Sequence, residues 1–345
     1  MYKTKARSDR YDRRDYLALM NSGIPKTIAD GEMMNFDSAE DAGIFFAREL
    51  DYIKAKTYDR QYPELTALRY IPRTNEVNEG AETYTYYSYD KTGMAKIISD
   101  YSTDLPRADV KGKPTTAQIK SVGDSYGYSM QEMRASRFAG KSLDVRKAES
   151  ARYQIDRTLN TIAWAGDKES GLIGVLSDDN DIPLFTPANN AAASSTKWED
   201  KTYKEILKDV TDMQKYVSKI TKDVEKPDTL CLPPDVFLDI STRQIDNTNL
   251  TIMKFILDNA PYLKNIVSAP ELQADSTETN PYAAQSKNVA FLFTADAEKL
   301  SIEHPLEFIQ HPLQYKGLEV IVPCEARTAG ACIYYPLSAL IAVGI

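Results

Sequence analysis

From Ser142 to Gly174 the chain reads SLDVRKAESARYQIDRTLNTIAWAGDKESGLIG. Ala148, Ala151, Ile155, Leu159 and Ile162 recur at steps of three and four, while Arg146, Lys147, Glu149, Arg152, Asp156 and Arg157 fill the other face. That spacing predicts one long amphipathic helix. Ser142 is suited to cap it, Asp144 complements the first-turn dipole, and Gly166 fits a left-handed stop. At about 1.5 Å per residue the rod is roughly 35 Å long, close to the span of a small domain. A fold containing it must cover one apolar edge along that length, and Ile155→Asp is the change expected to detach it, since each large side chain on the edge contributes about 1.5–3 kcal/mol. Gly166, Gly171 and Gly174 then let the chain turn sharply before the next apolar segment. Taken alone, the stretch is read by default as a core helix and turn of an unrelated enzyme.

A chain of 345 residues exceeds the roughly 250–300 at which single cores stop growing, so two lobes interleaved in sequence are expected. With 27% charged and 42% hydrophobic residues, the composition is that of a globular protein. The opening MYKTKARSDRYDRRDY lacks the apolar core of a signal peptide. The longest apolar run, LSALIAVGI, is far short of the ~20 residues of a membrane span. Three cysteines without a CxxC pair predict no disulfide framework. A net charge of -8 argues against a surface that wraps nucleic acid all round. Tyrosine is the outlier, 22 residues against 10 Phe and 2 Trp; strand propensity and protein interfaces both favour it.

The first fourteen residues carry Lys3, Lys5, Arg7, Arg10, Arg13 and Arg14 against Asp9 and Asp12, six minus two, or +4. That is either a solvated terminus or an arm for an acidic partner. Residues 38–59 carry a capping pair, Ser38 and Asp41, and a helical face of Ala42, Phe46, Leu50 and Ile53. ELTALRYIP is read as a strand closed by Pro72. Residues 80–128 are rich in Thr and Tyr and keep no helical face; they read as a long hairpin-like excursion with strands near 82–89 and 116–128. Such a two-stranded arm is marginal unless it lies on something. Residues 129–139, with Met130, Met133 and Phe138, predict a short helix.

Beyond the long helix, PLFTPANNAAASSTKWEDK reads as a loop. Thr202 and Glu205 make a capping box before Ile206, Val210, Met213, Val217 and Ile220. Pro234 suits a first helical position, NLTIMKFILDNAPYL predicts another helix, and NVAFLFTAD and GLEVIVP predict strands. This irregular mixture indicates an α+β fold rather than a doubly wound sheet.

A search for chemistry finds little. His304 and His311 each precede proline and read as structural, as do Cys324 and Cys332, which lack a partner at catalytic spacing. No Walker loop, GxGxxG, GxSxG or HExxH occurs. The expectation is no enzyme, no cofactor and no metal.

The ordered series of GAETYTYYSYDKTGMAKII, DLPRADV, SVGDSYGYSMQEMRAS, the long helix, AWAGDKESGLIGVL and the ending EKLSIEHPLEFIQHPLQYKGLEVIVPCEARTAGACIYYPLSALIAVGI resembles the major capsid proteins of tailed bacteriophages, in the Hong Kong 97-type fold. The resemblance runs from about Phe36 to the end. It implies an N-terminal arm with helix (1–61), a peripheral domain (62–79, 129–171 and 296–329) built on the long spine helix, an extended loop (80–128), an axial domain (172–295) and a C-terminal strand returning to it (330–345). It further implies self-assembly into hexamers and pentamers forming an icosahedral shell around double-stranded DNA, in the virion capsid after assembly in the host cytoplasm. A separate scaffolding protein is expected because only about 37 residues precede the first helix; a portal protein and a decoration protein are further partners, and no membrane is involved. Tyr84, Tyr86, Tyr87, Tyr89 and Tyr101 are the candidates for inter-subunit contact, and Arg7, Arg10, Arg13 and Arg14 for facing DNA. Some relatives join a loop lysine to an asparagine of another subunit. Lys91, Lys96, Lys111 and Lys113 are available here, but no asparagine follows Asn288, so no self-crosslinking is expected. The rival readings are an encapsulin-like protein compartment of the same fold and, more distantly, a soluble α+β enzyme of unknown class.

Overall fold

In the computed structural model, residues 62–97, 107–139, 145–190 and 195–345 are described. The basic arm, the helix expected at 38–59, Tyr101, and the capping residues Ser142 and Asp144 lie outside them. Pro63–Ile345 forms one compact unit.

Its helices are α1 (Ala67–Tyr70), α2 (Met130–Ala139), α3 (Arg146–Ala165), α4 (Tyr203–Thr221), α5 (Pro234–Thr242) and α6 (Ile252–Asn259). The strands are β1 (Arg73–Thr74), β2 (Thr83–Thr92), β3 (Asp109–Gln118), β4 (Lys120–Ser129), β5 (Leu184–Phe185), β6 (Thr229–Leu232), β7 (Asn265–Ser268), β8 (Val289–Phe293), β9 (Leu300–Glu303), β10 (Leu306–Gln310), β11 (Gln314–Lys316), β12 (Glu319–Thr328), β13 (Ala331–Ile333) and β14 (Ala339–Val343).

The long helix is α3. Its apolar edge, Ala151, Ile155 and Leu159, packs against Val322, Cys324 and Ala326 of β12, with Val122, Tyr126 and Phe308 alongside. Strand β12 buries every second residue from Val320 to Thr328, as a sheet with one covered face requires. It pairs antiparallel with β4, β10 and β11. Within the described residues the helix starts after Val145, which makes no side-chain cap. It ends at Gly166, whose φ of 75° and ψ of -176° lie in a region essentially reserved for glycine.

A five-stranded sheet of order β5-β14-β8-β6-β7 forms the other main layer. Strands β6, β8 and β14 are buried throughout, because both faces are covered. Leu230, Leu232, Ala290, Leu292, Leu340 and Ala342 meet Ile206, Val210, Met213 and Val217 of α4, together with α5 and α6. The alternate residues Cys231, Phe291, Phe293 and Ile341 meet Ala163 and Trp164 at the end of α3, Ala67, and Ile302 of β9. Trp164 thus ties the long helix to the second sheet, edge-on to Phe291 at 6.1 Å. The C-terminal strand β14 lies inside this sheet, between β5 and β8.

Several expected elements form in place. Thr202 and Glu205 cap α4 reciprocally, although Ile220 stays outside the core. Pro234 opens α5 and Thr251 caps α6. At the start of α2, Ser129 and Glu132 exchange hydrogen bonds, and Phe138 is exposed near its end.

Two strand expectations are corrected. ELTALRYIP contains the single helical turn α1, because tertiary partners take up its first backbone donors. Thr66 N–H and Oγ–H donate to the Glu271 carboxylate at 3.0 and 2.5 Å, and Ala67 N–H donates to Asn160 Oδ1 at 2.9 Å. Asn160 Nδ2 in turn donates to Glu271 at 2.7 Å. A strand-like sequence pattern carries no information about such partners. The strand expected at 116–128 is two strands. Asp109–Gln118 pairs with Thr83–Thr92, whereas Lys120–Ser129 crosses to pair with Glu319–Thr328. Buried Ile119 marks the change of sheet.

Candidate functional site

Among the described residues, β2 and β3 form a sheet of their own. The two ten-residue strands pair with each other as a hairpin. Tyr84 stands opposite Ala117, Tyr86 opposite Thr115, Tyr87 opposite Pro114 and Tyr89 opposite Gly112. Pro114 has no N–H to give a further strand, which suits an edge position.

Because side chains alternate across a strand, the four described tyrosines divide into two pairs. Tyr84 and Tyr86 face their own chain. Tyr84 Oη donates to Cys332 Sγ at 2.6 Å, Tyr86 Oη donates to the Ile333 carbonyl at 3.3 Å, and Tyr86 meets Tyr334 edge-to-face at 4.9 Å. Burial pushes the Tyr84 phenol far above its usual range, with the neighbouring Cys332 adding to the effect. The Cys332 thiol is itself raised to about 11 by burial. These side chains, with Ile119, Ala329, Val77 and Ala81, form a small apolar anchor at the hairpin base.

Tyr87 and Tyr89 face away, 64% and 70% exposed, and stack on one another at 6.4 Å. Towards the far end, Met94, Ile97 and Val110 are exposed as well. Lys91, Lys111 and Lys113 are on the exposed surface of the same arm. A second exposed apolar group, Leu313, Tyr315 and Leu318, lies around β11 at the edge of the four-stranded sheet. The sequence reading missed it, although two large apolar residues beside the Gly317 turn carried the signal.

The groups capable of chemistry are dispersed. Cys231, Cys324 and Cys332 are free and buried, and the last two lie in separate apolar clusters. His311 lies 3.1 Å from Glu325. His304 is buried beside a cavity of about 450 Å³ lined also by Arg73, Arg152, Asp156 and Glu307. Burial lowers its pKa, partly opposed by a hydrogen bond to the Arg327 backbone. Burial likewise raises the Asp156 carboxyl, partly offset by Arg152. Among the described residues no group of three or more His, Cys, Asp or Glu side chains is placed to hold a metal ion. No described helix is long and apolar enough to cross a membrane.

Solved structures share this arrangement. The capsid of Myoviridae phage XM1 matches with a TM-score of 0.72 at 13% identity, covering 88% of this chain and 100% of that one. The capsid of a native GTA particle matches with a TM-score of 0.59 at 10% identity, covering 90% and 99%. A structure from Mycobacterium phage Ogopogo matches with a TM-score of 0.54 at 12% identity, covering 85% and 96%. At such identities the likeness is one of fold, the Hong Kong 97-type capsid fold. No curated protein matches the chain. The family model described as major capsid protein matches residues 93–345, most of the chain. The chain therefore belongs to the major capsid protein family, and it is a structural protein of the virion shell rather than an enzyme.

Proposed function

We propose that copies of this protein form hexamers and pentamers that close an icosahedral shell around double-stranded DNA. The observation that carries this reading is the hairpin: a two-stranded arm, anchored at one end through Tyr84 and Tyr86, that leaves Tyr87, Tyr89, Met94, Ile97 and Val110 exposed. A lone two-stranded ribbon is marginally stable in water, so a neighbouring copy supplies the missing surface. Tyr87 and Tyr89 make that contact, while Tyr84 and Tyr86 hold the arm at the angle the neighbour meets. Each contact can be weak, because closed symmetry and several simultaneous contacts multiply it.

Assembly takes place in the host cytoplasm with a separate scaffolding protein and a portal protein, and a decoration protein binds the finished shell. Arg7, Arg10, Arg13 and Arg14, which with Lys3 and Lys5 outweigh Asp9 and Asp12 by four charges, face the packaged DNA by non-specific phosphate contact. Tyr101, which lies between the two strands in sequence, serves the inter-subunit contact as well.

Electron microscopy of the protein expressed with and without its neighbouring genes tests the reading. Closed shells with five- and six-fold capsomers, filled with DNA in the complete set, are expected. Particles enclosing protein instead would favour the compartment reading, and a stable monomer at high concentration would refute both.

A further inference from the structure

Helix α4 carries a ridge of one sign. At about 100° per residue, Lys204, Lys208, Lys215 and Lys219 fall within about 60° of arc. They lie opposite the buried Ile206, Val210, Met213 and Val217. With Lys222 at the C-cap, the ridge runs about 27 Å at about 1.5 Å per residue. All five lysines are exposed. Among the described residues, the one carboxylate in salt-bridge range of a ridge lysine is Asp212, 3.3 Å from Lys215. Lys204 also lies over its own Tyr203 ring at 5.7 Å. Lys219 in the last turn and Lys222 complement the helix dipole. That local role does not extend to Lys204, Lys208 or Lys215.

On a chain of net charge -8, a ridge of five exposed lysines with one carboxylate, Asp212, in ion-pair range among the described residues attracts a polyanion. A protein partner fits poorly, because lysine is depleted at protein interfaces and the ridge offers no aromatic or aliphatic anchor between its charges. Duplex DNA fits better. It presents one negative charge per ~1.7 Å of axis, and lysines bind it by counterion release without reading sequence. An ammonium on a flexible stem meets a phosphate without demanding a fixed register.

We propose that the α4 ridge is a nucleic-acid-facing surface that binds the phosphate backbone of double-stranded DNA without sequence preference. The inference rests on the reading that the shell encloses DNA, and it adds a second basic surface to the one proposed for Arg7, Arg10, Arg13 and Arg14.

The test uses unassembled full-length protein and a labelled duplex of about 30 bp, with binding followed by anisotropy between roughly 50 and 200 mM salt. The variant K208Q/K215Q/K219Q should lose about 2–3 from the slope of log K against log salt, at about 0.9 per phosphate contact, and bind at least about tenfold more weakly at the low-salt end. K254Q/K316Q, on other elements, should leave the slope unchanged. An unaltered slope in the triple variant overturns the proposal. Lost binding to polyglutamate with an unaltered DNA slope would assign the ridge to an acidic protein, and lost shell formation with an unaltered slope would assign it to contact between copies; either result also overturns it. Wild-type shells lacking DNA would sink the shell reading itself, whereas DNA-filled wild-type shells matched by the triple variant, with the same slope, sink the ridge alone.

Discussion

Gly166 and Gly174 pack backbone against backbone where the long helix ends. A Cβ on Gly174 would lie 2.1 Å from the Gly166 nitrogen and 2.7 Å from the Trp164 carbonyl oxygen. The obstructing atoms are main chain, so no rotamer change relieves them. The close approach lets Val175 and Leu176 N–H donate to the Ala163 and Trp164 carbonyls at 2.9 and 2.7 Å, which satisfies the helix end and turns the chain back under the second sheet. Gly174→Ala is therefore expected to destabilise by about 3 kcal/mol or more, in the class of severe backbone conflicts. Soluble yield and a urea midpoint check this; a midpoint within error of wild type would mean that the turn yields.

The buried pair Lys201–Asp209 supports the second sheet's helical layer. Their charged atoms lie 2.6 Å apart, with side chains 1% and 5% exposed, and Trp198 Nε1 donates to the same carboxylate oxygen at 3.1 Å. Removing one partner leaves a buried charge, so Asp209→Ala should cost about 3–5 kcal/mol, whereas the double variant K201M/D209L should be much less damaging. Equilibrium unfolding of the two singles and the double decides; additive losses would show that the pair is not coupled.

His304 gives the fold a pH dependence of known sign. Burial lowers its folded pKa, so between that value and the unfolded value near ~6.5 the unfolded chain binds the proton and the folded chain does not. This contribution to stability is present above about pH 6.5 and is lost as pH falls towards the folded pKa. The groups around His304 are Arg73 on β1, Glu303 on β9, Glu307 on β10, and Arg152 and Asp156 on α3. His304→Gln should flatten the fall in urea midpoint on going from mildly alkaline to mildly acid solution. The same fall in both proteins would place the dependence elsewhere.

On the arm, Tyr87→Ser with Tyr89→Ser removes exposed rings and should change stability by no more than about 0.5 kcal/mol each. Shell yield, counted by electron microscopy, should nevertheless drop several-fold if a neighbouring copy covers these rings. Tyr84→Phe removes the 2.6 Å bond to Cys332 while keeping the ring, and hydrogen exchange should speed up through the hairpin base. Full shell yield from the Tyr87/Tyr89 double variant would remove these residues from the contact.

Ile155 sits 1% exposed against β12. Ile155→Val should cost about 0.5–1.5 kcal/mol, and Ile155→Asp should abolish soluble folded protein, because the carboxylate would be buried without a partner. Circular dichroism of the soluble fraction checks both; a folded Ile155→Asp protein would show that the helix edge is not the seam it is described to be.

Sequence periodicity was sufficient for the long helix and for the capped helix Tyr203–Thr221, and the run GLEVIVP marked the first half of the strand Glu319–Thr328. In each, the buried face repeats at a period that one segment sets by itself. Composition, rich in Thr and Tyr without a helical face, located the tyrosine-rich arm. Four things were decided only in three dimensions. Lys120–Ser129 pairs with Glu319–Thr328 rather than continuing the hairpin. Thr66 and Ala67 give their N–H groups to Glu271 and Asn160, which makes a helical turn of a strand-like sequence. Tyr84 and Tyr86 are spent on their own chain while Tyr87 and Tyr89 are left exposed. Lys201 and Asp209 are buried together, a pairing that no local pattern announces. The division has one physical cause. A residue's own backbone preference and its rhythm with near neighbours are written locally, whereas the partner of a strand, a buried carboxylate or a tyrosine hydroxyl is chosen by chain segments far away in sequence, and only the folded packing brings them within bonding distance.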